Sequence, residues 1–456
     1  MAIEPKLKEE CGVFGIYQHK EAANMAYLGL YALQHRGQEG AGIVCSDGKR
    51  LYQERGLGLV NDVFGADRLS RLQGQHAIGH VRYSTHGDSH LKNVQPFLFN
   101  YAKGWLSVAH NGNLTNAVKL RRTLEESGSI FQTTSDTEIL IHFIARSKKA
   151  GLLPCLIDAL EQIKGAFSLL FLSENQLIAV RDTYGFRPLV LGDLNGSFVV
   201  ASETSAFDLI GAKFIREVEP GEIVVIDEKG IGSHKPFRQT EIKQCVFEHI
   251  YFARPDSRVF GENVYEKRTE LGRQLAREQP AQADIVIPVP DSGVPAAIGY
   301  AQEANLPFEM GIIRNHYVGR TFIEPKQSIR NFGVKIKLNP IKKLLENKSI
   351  VVIDDSIVRG TTSQKIIQML RSYGAREIHM RVSAPPTTGP CFYGIDTPTR
   401  SELIASSKSI EDIRKYIGAD SLGYLSLEGL LKVVEKKTPS FCTACFDGRY
   451  PLLPED

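Results

Sequence analysis

The chain has 456 residues and a formal net charge of +3 at pH 7, with 42% hydrophobic and 23% charged residues. This composition is ordinary for a folded globular protein, and the length predicts about two or three domains. The near-neutral charge argues against a nucleic acid partner, and no run approaches the roughly 18 apolar residues of a membrane-spanning helix. Because the first ten residues lack the apolar core of a signal peptide, we expect a cytoplasmic protein with no membrane partner.

The first half of the chain predicts many short strands with a few helices between them. The predicted strands span residues 11–17, 77–83, 105–110, 166–172, 176–181, 198–202 and 222–227. The predicted helices span residues 22–34, 115–128 and 134–148. Strands mixed with a few helices in this way are typical of an α+β layered domain rather than of a parallel α/β sheet.

The second half of the chain has a different pattern. Short apolar runs at residues 284–289, 350–353 and 377–382 each precede a turn or a helical segment. This alternation predicts a parallel sheet with helices on both faces, which is an α/β domain. The polar stretch at residues 227–243 separates the two patterns, so we place the domain boundary near residue 235.

Cys11 begins an apolar strand and is followed by four short motifs. In chain order they are QHRG at 34–37, GHVRYSTHG at 79–87, HNGNL at 110–114 and SDTE at 135–138. Taken singly, Cys11 fits a buried core residue and Arg82 fits a surface ion-pair residue. The Asn111-Gly112 pair is also a strong hairpin-turn signal, and Asp136 fits a helix cap.

Together, Cys11 and these motifs resemble the class II glutamine amidotransferases, whose glutaminase domain has an N-terminal-nucleophile fold, over residues 11–235. The resemblance implies that residues 1–10 are a propeptide whose removal makes Cys11 the N-terminus and the nucleophile. A free α-amino group titrates at roughly pH 8 and can accept the thiol proton. In an uncut chain the same nitrogen belongs to an amide, which is not a base.

The same resemblance assigns roles to the remaining polar residues. Arg82 would bind the α-carboxylate of glutamine through its fork of donors, and Asp136 would pair with the α-ammonium group. The side-chain amide of Asn111 and the backbone N–H of Gly112 would stabilise the tetrahedral oxyanion. This mechanism needs no imidazole, so the nearby histidines are expected to be structural or substrate-loop residues. These histidines are His35, His80 and His86.

A second constellation follows the apolar run at 350–353. Asp354 and Asp355 end this run, and a loop rich in Gly, Thr and Ser leads to a predicted helix at 364–373. Adjacent carboxylates can accept hydrogen bonds from two ribose hydroxyls, and N–H groups at a helix start bind phosphate. The alternative is a solvated acidic turn. The Gly-Lys-Ser/Thr ending of a Walker loop is missing.

This segment resembles the signature of type I phosphoribosyltransferases, which bind 5-phosphoribosyl-1-pyrophosphate (PRPP). The resemblance assigns substrate binding to the acid pair and to the loop after it. The residues so assigned are Asp354, Asp355, Arg359, Gly360, Thr361, Thr362 and Ser363. It also places Mg²⁺ beside Asp354, Asp355 and Ser292, the last in a loop at 287–293 that otherwise fits a plain Pro-rich turn. Residues 317–327 resemble the family's mobile loop, which closes over PRPP.

Four cysteines outside these motifs form a third candidate site. Cys442 and Cys445 form a CxxC pair, while Cys245 and Cys391 lie far upstream. The spacing alone fits a redox pair, a structural zinc site or an iron–sulfur cluster. Two other cysteines are expected to be inert core residues because their neighbours in sequence are apolar. These are Cys45 and Cys155.

The whole chain, with both halves in this order, resembles the amidophosphoribosyltransferases of purine synthesis, in their cluster-containing branch. That resemblance implies a [4Fe–4S] cluster on the four cysteines, Mg²⁺ as the second cofactor, glutamine and PRPP as substrates, purine nucleotides as inhibitors and a homotetramer. It implies a propeptide at 1–10, a glutaminase domain at 11–235 and a phosphoribosyltransferase domain at 236–456. The reaction would be the first committed step of purine synthesis, forming 5-phosphoribosylamine.

Two other functions are compatible with parts of the sequence. Another class II amidotransferase, such as a glucosamine-6-phosphate or asparagine synthase, would share the Cys11 motifs but not the segment at 354–363. A non-catalytic purine- or PRPP-sensing protein with a phosphoribosyltransferase fold would not need Cys11, Arg82, Asn111 and Asp136.

Overall fold

The computed structural model describes residues 9–84, 90–238, 240–315, 337–435 and 440–455. The strands of the first half are β1 Glu9–Tyr17, β2 Gly40–Ser46, β3 Leu51–Leu57, β4 His76–Ser84, β5 Phe97–Tyr101, β6 Gly104–Leu114, β7 Gly165–Leu172, β8 Leu177–Arg181, β9 Val190–Leu194, β10 Ser197–Ala201, β11 Lys213–Glu217, β12 Ile223–Asp227 and β13 Gly230–His234. Its α-helices are α1 Ala22–Ala32, α2 Val60–Val63, α3 Ala66–Leu69, α4 Ala117–Glu126, α5 Thr137–Arg146, α6 Leu152–Leu160 and α7 Ser205–Ile210.

The first half is a four-layer sandwich of two antiparallel sheets between helices. One sheet has the order β11-β9-β10-β1-β4-β2-β3 and the other β13-β12-β8-β7-β6-β5. Their inner faces share an apolar core that includes Val13 and Leu170. Because side chains alternate along a strand, Phe14 instead faces the layer of α1. Helices α4 to α6 cover the other sheet, so the predicted α+β class is confirmed.

The second half contains a parallel sheet with helices on both faces. Its strands are β14 Gln244–Cys245, β15 Arg258–Val259, β16 Glu262–Asn263, β17 Ile285–Pro288, β18 Ile312–Arg314, β19 Leu338–Pro340, β20 Ser349–Asp354, β21 Glu377–Val382, β22 Ser421–Tyr424 and β23 Phe441–Cys442. Its α-helices are α8 Val264–Glu278, α9 Val294–Ala304, α10 Lys342–Leu345, α11 Thr361–Ser372, α12 Ile410–Ile417, α13 Leu427–Val434 and α14 Ala444–Asp447. The parallel sheet has the order β17-β20-β21-β22. Helices α11 and α12 pack on one face and α8, α9 and α13 on the other, which confirms the α/β prediction.

The chain returns to the junction of the two halves near its end. Strand β14 pairs in parallel with β23, which places Cys245 directly opposite Cys442. Further along, Glu455 forms ion pairs with Lys119 and Lys164 of the first half, at 3.1 and 2.6 Å. Among the described residues, no helix is both long and apolar enough to cross a membrane.

Local expectations at β6 and α11 differ from the structure. The hairpin-turn alternative for Asn111-Gly112 is wrong, because both residues lie within β6 and pair with Ser168 and Phe167 of β7. Gly112 has φ +153°, and a Cβ there would lie 2.0 Å from a carbonyl oxygen, so glycine serves close strand packing rather than a turn. The helix predicted at 364–373 begins three residues earlier, at Thr361.

Candidate functional site

Cys11 lies in the interior of the first sheet, on β1. Its antiparallel register partner on β4 is Arg82, and directly opposed residues in such a pair place their side chains side by side on one face. The carbonyl oxygen of Cys11 accepts a hydrogen bond from Arg36 Nε at 3.1 Å. Gly37, which ends the QHRG motif, approaches β4 so closely that a Cβ would lie 2.6 Å from the Arg82 nitrogen. The QHRG motif therefore contacts the backbone of both Cys11 and Arg82.

Asn111 reaches the Cys11 strand through Ser202. The Val13 N–H donates to Ser202 Oγ at 2.9 Å, and Asn111 Nδ2 donates to the same oxygen at 3.5 Å. The Oδ1 atom of Asn111 is buried and has no hydrogen-bond partner within the described part of the chain. Sequence reasoning missed Ser202, and no motif marks it.

Arg82 and Asp136 are both buried, at 6% and 5% exposure, so the surface ion-pair explanation of Arg82 is wrong. Asp136 does occupy the N-cap position of α5, but its side chain caps no helix N–H and instead accepts the Leu114 N–H at 2.8 Å. Burial raises the pKa of Asp136, but His110, with Nδ1 3.5 Å from Oδ1, and the hydrogen bonds from Leu114 and Thr137 together outweigh it, so the pKa is lowered. Asp136 is thus held as a carboxylate.

The described histidines near this site are buried or partly buried and have polar contacts within the fold. His80 Nε2 lies 3.1 Å from the carbonyl oxygen of His110, and burial lowers the pKa of His80 to about 3. His35 Nε2 lies 2.8 Å from Glu203. His110 was not singled out from the sequence, although it belongs to the HNGNL motif. His86 lies outside the described residues, as do residues 1–8 and the loop at 317–327.

Asp354 and Asp355 lie at the carboxyl end of β20, where open α/β sheets bind their ligands. They are only 8% and 5% exposed, so a solvated acidic turn is ruled out. Burial raises the pKa of both, and for Asp354 the neighbouring Asp355 raises it further. The hydroxyl of Ser356 donates to Asp355 at 2.6 Å, and the hydroxyl of Ser292 also bonds this carboxylate. The structure thus brings the three predicted Mg²⁺ residues together.

The loop after the acid pair leads into the N-terminus of α11. Gly360 has φ +75°, a left-handed conformation that suits glycine, and precedes Thr361 at the first position of the helix. The first N–H groups of a helix lack partners within the helix and point out of its end. Arg359 extends to the side, where it pairs with Glu402 at 2.9 Å.

The four cysteines of the third candidate site meet around one enclosed space. Cys245, Cys391, Cys442 and Cys445 line a cavity of about 50 Å³, together with Tyr393 and Val358. Burial raises the pKa of Cys245 to about 12 and also raises that of Cys442 and Cys445. No group of three or more His, Cys, Asp or Glu in the described ranges could hold a single metal ion. Cys45 and Cys155 are fully buried, consistent with core residues.

Comparisons with known proteins identify two family models in this chain. A glutamine amidotransferase domain matches residues 80–209, and a phosphoribosyl transferase domain matches residues 261–391. The chain is 56% identical over 454 residues to the chloroplastic amidophosphoribosyltransferase of Vigna aconitifolia, covering 99% of this chain and 93% of the relative.

Two solved structures are similar over almost the whole chain. The glutamine PRPP amidotransferase of B. subtilis, complexed with ADP and GMP, has a TM-score of 0.92 and 50% identity, with 97% of each chain covered. A structure described as the allosteric regulatory enzyme of purine biosynthesis has a TM-score of 0.94 and 50% identity, covering 97% of this chain and 98% of the other.

Proposed function

The chain belongs to the amidophosphoribosyltransferase family, and we propose that the Cys11 site and the Asp354–Asp355 site divide this family's reaction between them. The protein is a glutamine-dependent pentosyltransferase of purine biosynthesis, which converts glutamine, PRPP and water to 5-phosphoribosylamine, glutamate and pyrophosphate. The observation that carries the division is that one chain places a buried cysteine beside Arg82 and a buried acid pair before a helix start.

At the first site, Cys11 Sγ attacks the amide carbon of glutamine. The thiol proton passes to the α-amino group of the processed Cys11 and then to the leaving nitrogen, which departs as ammonia. The remaining thioester is hydrolysed by water to glutamate and the free thiol. Asn111 Nδ2 and the Gly112 N–H stabilise the oxyanion, and the support for this is the contact of Asn111 with Ser202, which bonds β1 two residues beyond Cys11.

Arg82 and Asp136 bind the two charged groups of glutamine. Arg82 pairs with the α-carboxylate, which its register position beside Cys11 supports. Asp136 pairs with the α-ammonium group, and its lowered pKa supports a charged carboxylate at neutral pH. Two opposite charges held in a buried site select an amino acid over a simple amide.

Removal of residues 1–10 exposes the base that this mechanism needs. In the uncut chain β1 begins at Glu9, before Cys11, so the Cys11 nitrogen belongs to the peptide bond with Glu10 and is an amide. The expected mature protein begins at Cys11, and an intact-mass measurement of the purified enzyme tests this.

At the second site, Asp354 and Asp355 accept hydrogen bonds from the ribose hydroxyls of PRPP. The N–H groups of Thr361, Thr362 and Ser363 at the start of α11 bind the 5-phosphate, and Gly360 lets the loop approach it closely. Ser292, Asp354 and Asp355 would hold Mg²⁺. Two adjacent buried carboxylates repel each other, and a divalent cation removes that cost. When bound, Mg²⁺ neutralises the charge of the pyrophosphate leaving group.

The four-cysteine cavity is the proposed site of an iron–sulfur cluster. The support is that its four cysteines line one mainly apolar space. We assign a [4Fe–4S] cluster to Cys245, Cys391, Cys442 and Cys445, where it would tie three chain segments together. Iron and acid-labile sulfide in equal amounts in anaerobically purified protein are the expected result.

Purine nucleotides are proposed inhibitors and a homotetramer is the proposed assembly. The solved B. subtilis relative was complexed with ADP and GMP, which supports the first of these. The proposed location is the cytoplasm. The relatives that match almost the whole chain are named as amidophosphoribosyltransferases. We therefore favour this activity over a non-catalytic sensor and over another class of amidotransferase.

Two variants and two nitrogen sources test the assignment of glutamine hydrolysis to the Cys11 site and of pyrophosphate release to the Asp354–Asp355 site. Cys11→Ser should lose glutamine-dependent pyrophosphate release and keep the ammonia-dependent rate, because only the second site is then needed. Asp355→Asn should lose pyrophosphate release with both sources. Glutamine-dependent release by Cys11→Ser at the wild-type rate would contradict the nucleophile assignment.

A further inference from the structure

Four fully buried charged side chains lie where the two halves of the chain meet. Arg36, Arg187 and Glu203 belong to the first half, and Glu248 belongs to the second. Two cations and two anions balance, as buried charges generally must. This group is called the junction cluster below.

Arg36 is the centre of the junction cluster. Its Nη1 and Nη2 donate to the Glu248 carboxylate at 3.1 and 2.8 Å, and Nη1 also donates to Glu203. Its third nitrogen, Nε, donates to the carbonyl oxygen of Cys11 at 3.1 Å. The ring of Phe252 lies 4.2 Å from the guanidinium carbon, so the guanidinium is held both at its edges and on one face. Arg36 therefore links the Glu248 carboxylate directly to the Cys11 carbonyl.

Glu248 holds a second arginine of the junction cluster besides Arg36. It is also an ion-pair partner of Arg187, at 3.1 Å, and the guanidinium carbon of Arg187 lies 4.9 Å from the centre of the Phe252 ring. Burial lowers the pKa of Arg36, but the charges of Glu248 and Glu203 outweigh it and the pKa is raised. Without Glu248, two buried guanidinium groups would share a single carboxylate, that of Glu203.

The turn that carries Glu248 is fixed from its other side by the second half. Residues Glu248–Phe252 form one π-helical turn. Arg268 of α8 donates from Nε to the His249 carbonyl at 2.9 Å and from Nη2 to the Ala253 carbonyl at 2.7 Å. The turn is therefore a rigid support, and Glu248 reaches from it into the first half.

We propose that Glu248, although it belongs to the phosphoribosyltransferase half, is a positioning residue for the Cys11 nucleophile. It fixes Arg36, and Arg36 fixes the carbonyl side of Cys11, which sets the direction of the thiol toward the glutamine amide. This anchor lies on the side of Cys11 that remains after propeptide removal. The inference rests on the proposed role of Cys11. Glutamine itself is bound by Arg82 and Asp136, so Glu248 influences kcat rather than KM.

Two variants test this proposal with full-length enzyme. Glu248→Gln removes the charge and keeps the shape of the side chain. The double variant Arg187→Gln/Glu248→Gln removes one cation and one anion together, so the remaining Arg36–Glu203 pair stays balanced and we expect the variant to fold. The matched control is Glu222→Gln, because Glu222 is equally buried and pairs with Arg216 at 2.7 Å, but within the first half alone.

Both Glu248 variants should lower kcat with glutamine at least tenfold and change the KM for glutamine by less than twofold. Ammonia-dependent turnover should stay within twofold, as should every value for Glu222→Gln. An unchanged kcat with glutamine in the double variant would overturn the proposal, and so would an equal fall of the ammonia-dependent rate. Cys11→Ser is assayed in parallel: if it keeps glutamine turnover, the nucleophile assignment has failed, whatever the Glu248 variants do.

Discussion

Gly112 shows how closely the backbone at the glutamine site is packed. A methyl group at this position would meet the Ala166 carbonyl oxygen at 2.0 Å, in a conformation with φ +153°. The strand would have to move, and the Gly112 N–H would leave the oxyanion position. Loss of one oxyanion donor typically costs about 100- to 1,000-fold in kcat.

We therefore expect Gly112→Ala to lower glutamine-dependent turnover by about 100-fold or more and to leave ammonia-dependent turnover nearly unchanged. Steady-state rates with the two nitrogen sources measure this. Gly230→Ala is the matched control, since Gly230 has φ +103° in the same half but open space around it. Equal losses in both variants would mean that backbone strain alone, not the oxyanion donor, is responsible.

His249 is a buried histidine outside the Cys11 site and the Asp354–Asp355 site. Its ring contacts Phe260 and Phe441, and neither ring nitrogen has a hydrogen-bond partner among the described residues. Burial lowers the pKa of His249 to about 3. Between this value and about 6.5 the unfolded chain binds more protons than the folded one, so stability falls as the pH drops through this window.

His249→Phe should remove this contribution and suit the aromatic surroundings. We expect the free energy of unfolding of the variant, relative to that of the wild type, to rise by about 1.4 kcal/mol for each pH unit below about 6.5. Urea unfolding of anaerobic protein at several pH values between 5 and 7.5 measures the difference. A constant difference over this range would show that His249 does not titrate on unfolding.

The residues proposed to contact the substrates lie in short sequence motifs, while the residues that contact and support them do not. Cys11, Arg82 and the Asp354–Asp355 pair lie in short local motifs. Ser202, by contrast, bonds a strand 189 positions away. Glu248 is 212 positions from Arg36. Partners this distant along the chain leave no local pattern.

At the scale of elements, the strands and helices follow from apolar periodicity, but their ends depend on tertiary contacts. The Asn-Gly pair in β6 is a turn signal by itself, yet pairing with β7 keeps the strand extended to Leu114. The start of α11 was predicted too late because Thr361 and Thr362 resemble loop residues. In both cases the local signal is correct for an isolated segment and is overridden by packing.

Helices α8 and α9 approach each other through glycine on both sides. A Cβ on Gly272 would lie 1.9 Å from the Ala296 carbonyl oxygen, and one on Gly299 would lie 1.9 Å from that of Thr269. This contact sets the position of α9, which follows the loop that holds Ser292. Backbone atoms cannot move aside as a flexible side chain can.

Gly272→Ala should destabilise the protein by about 1–3 kcal/mol, even though alanine is the better helix former. Because α8 and α9 belong to the second half, turnover should fall with glutamine and ammonia alike. Chemical unfolding and both rates measure this, and Gly65→Ala, with nothing within 4 Å of the added methyl, is the control. Increased stability of Gly272→Ala would contradict the close packing.

At the scale of the whole molecule, the two halves are joined by more than their linker. The Asn113 side chain donates to the Phe392 carbonyl at 2.9 Å, and Gly394 packs against Gly112. The segment with Cys391 thus touches the strand that carries the oxyanion residues. The fold of each half was predictable from its own pattern, whereas this joint surface arises from pairs far apart in sequence.

We propose that the ammonia released at Cys11 is used at the Asp354–Asp355 site of the same molecule without mixing with ammonia in solution. The most direct measurement supplies amide-¹⁵N glutamine and PRPP with an excess of unlabelled ammonium, and determines the ¹⁵N content of the trapped 5-phosphoribosylamine. Internal transfer predicts a product that is mostly ¹⁵N while the free ammonium remains mostly unlabelled. A product whose ¹⁵N content equals that of the free ammonium would show that ammonia leaves the enzyme before it reacts with PRPP.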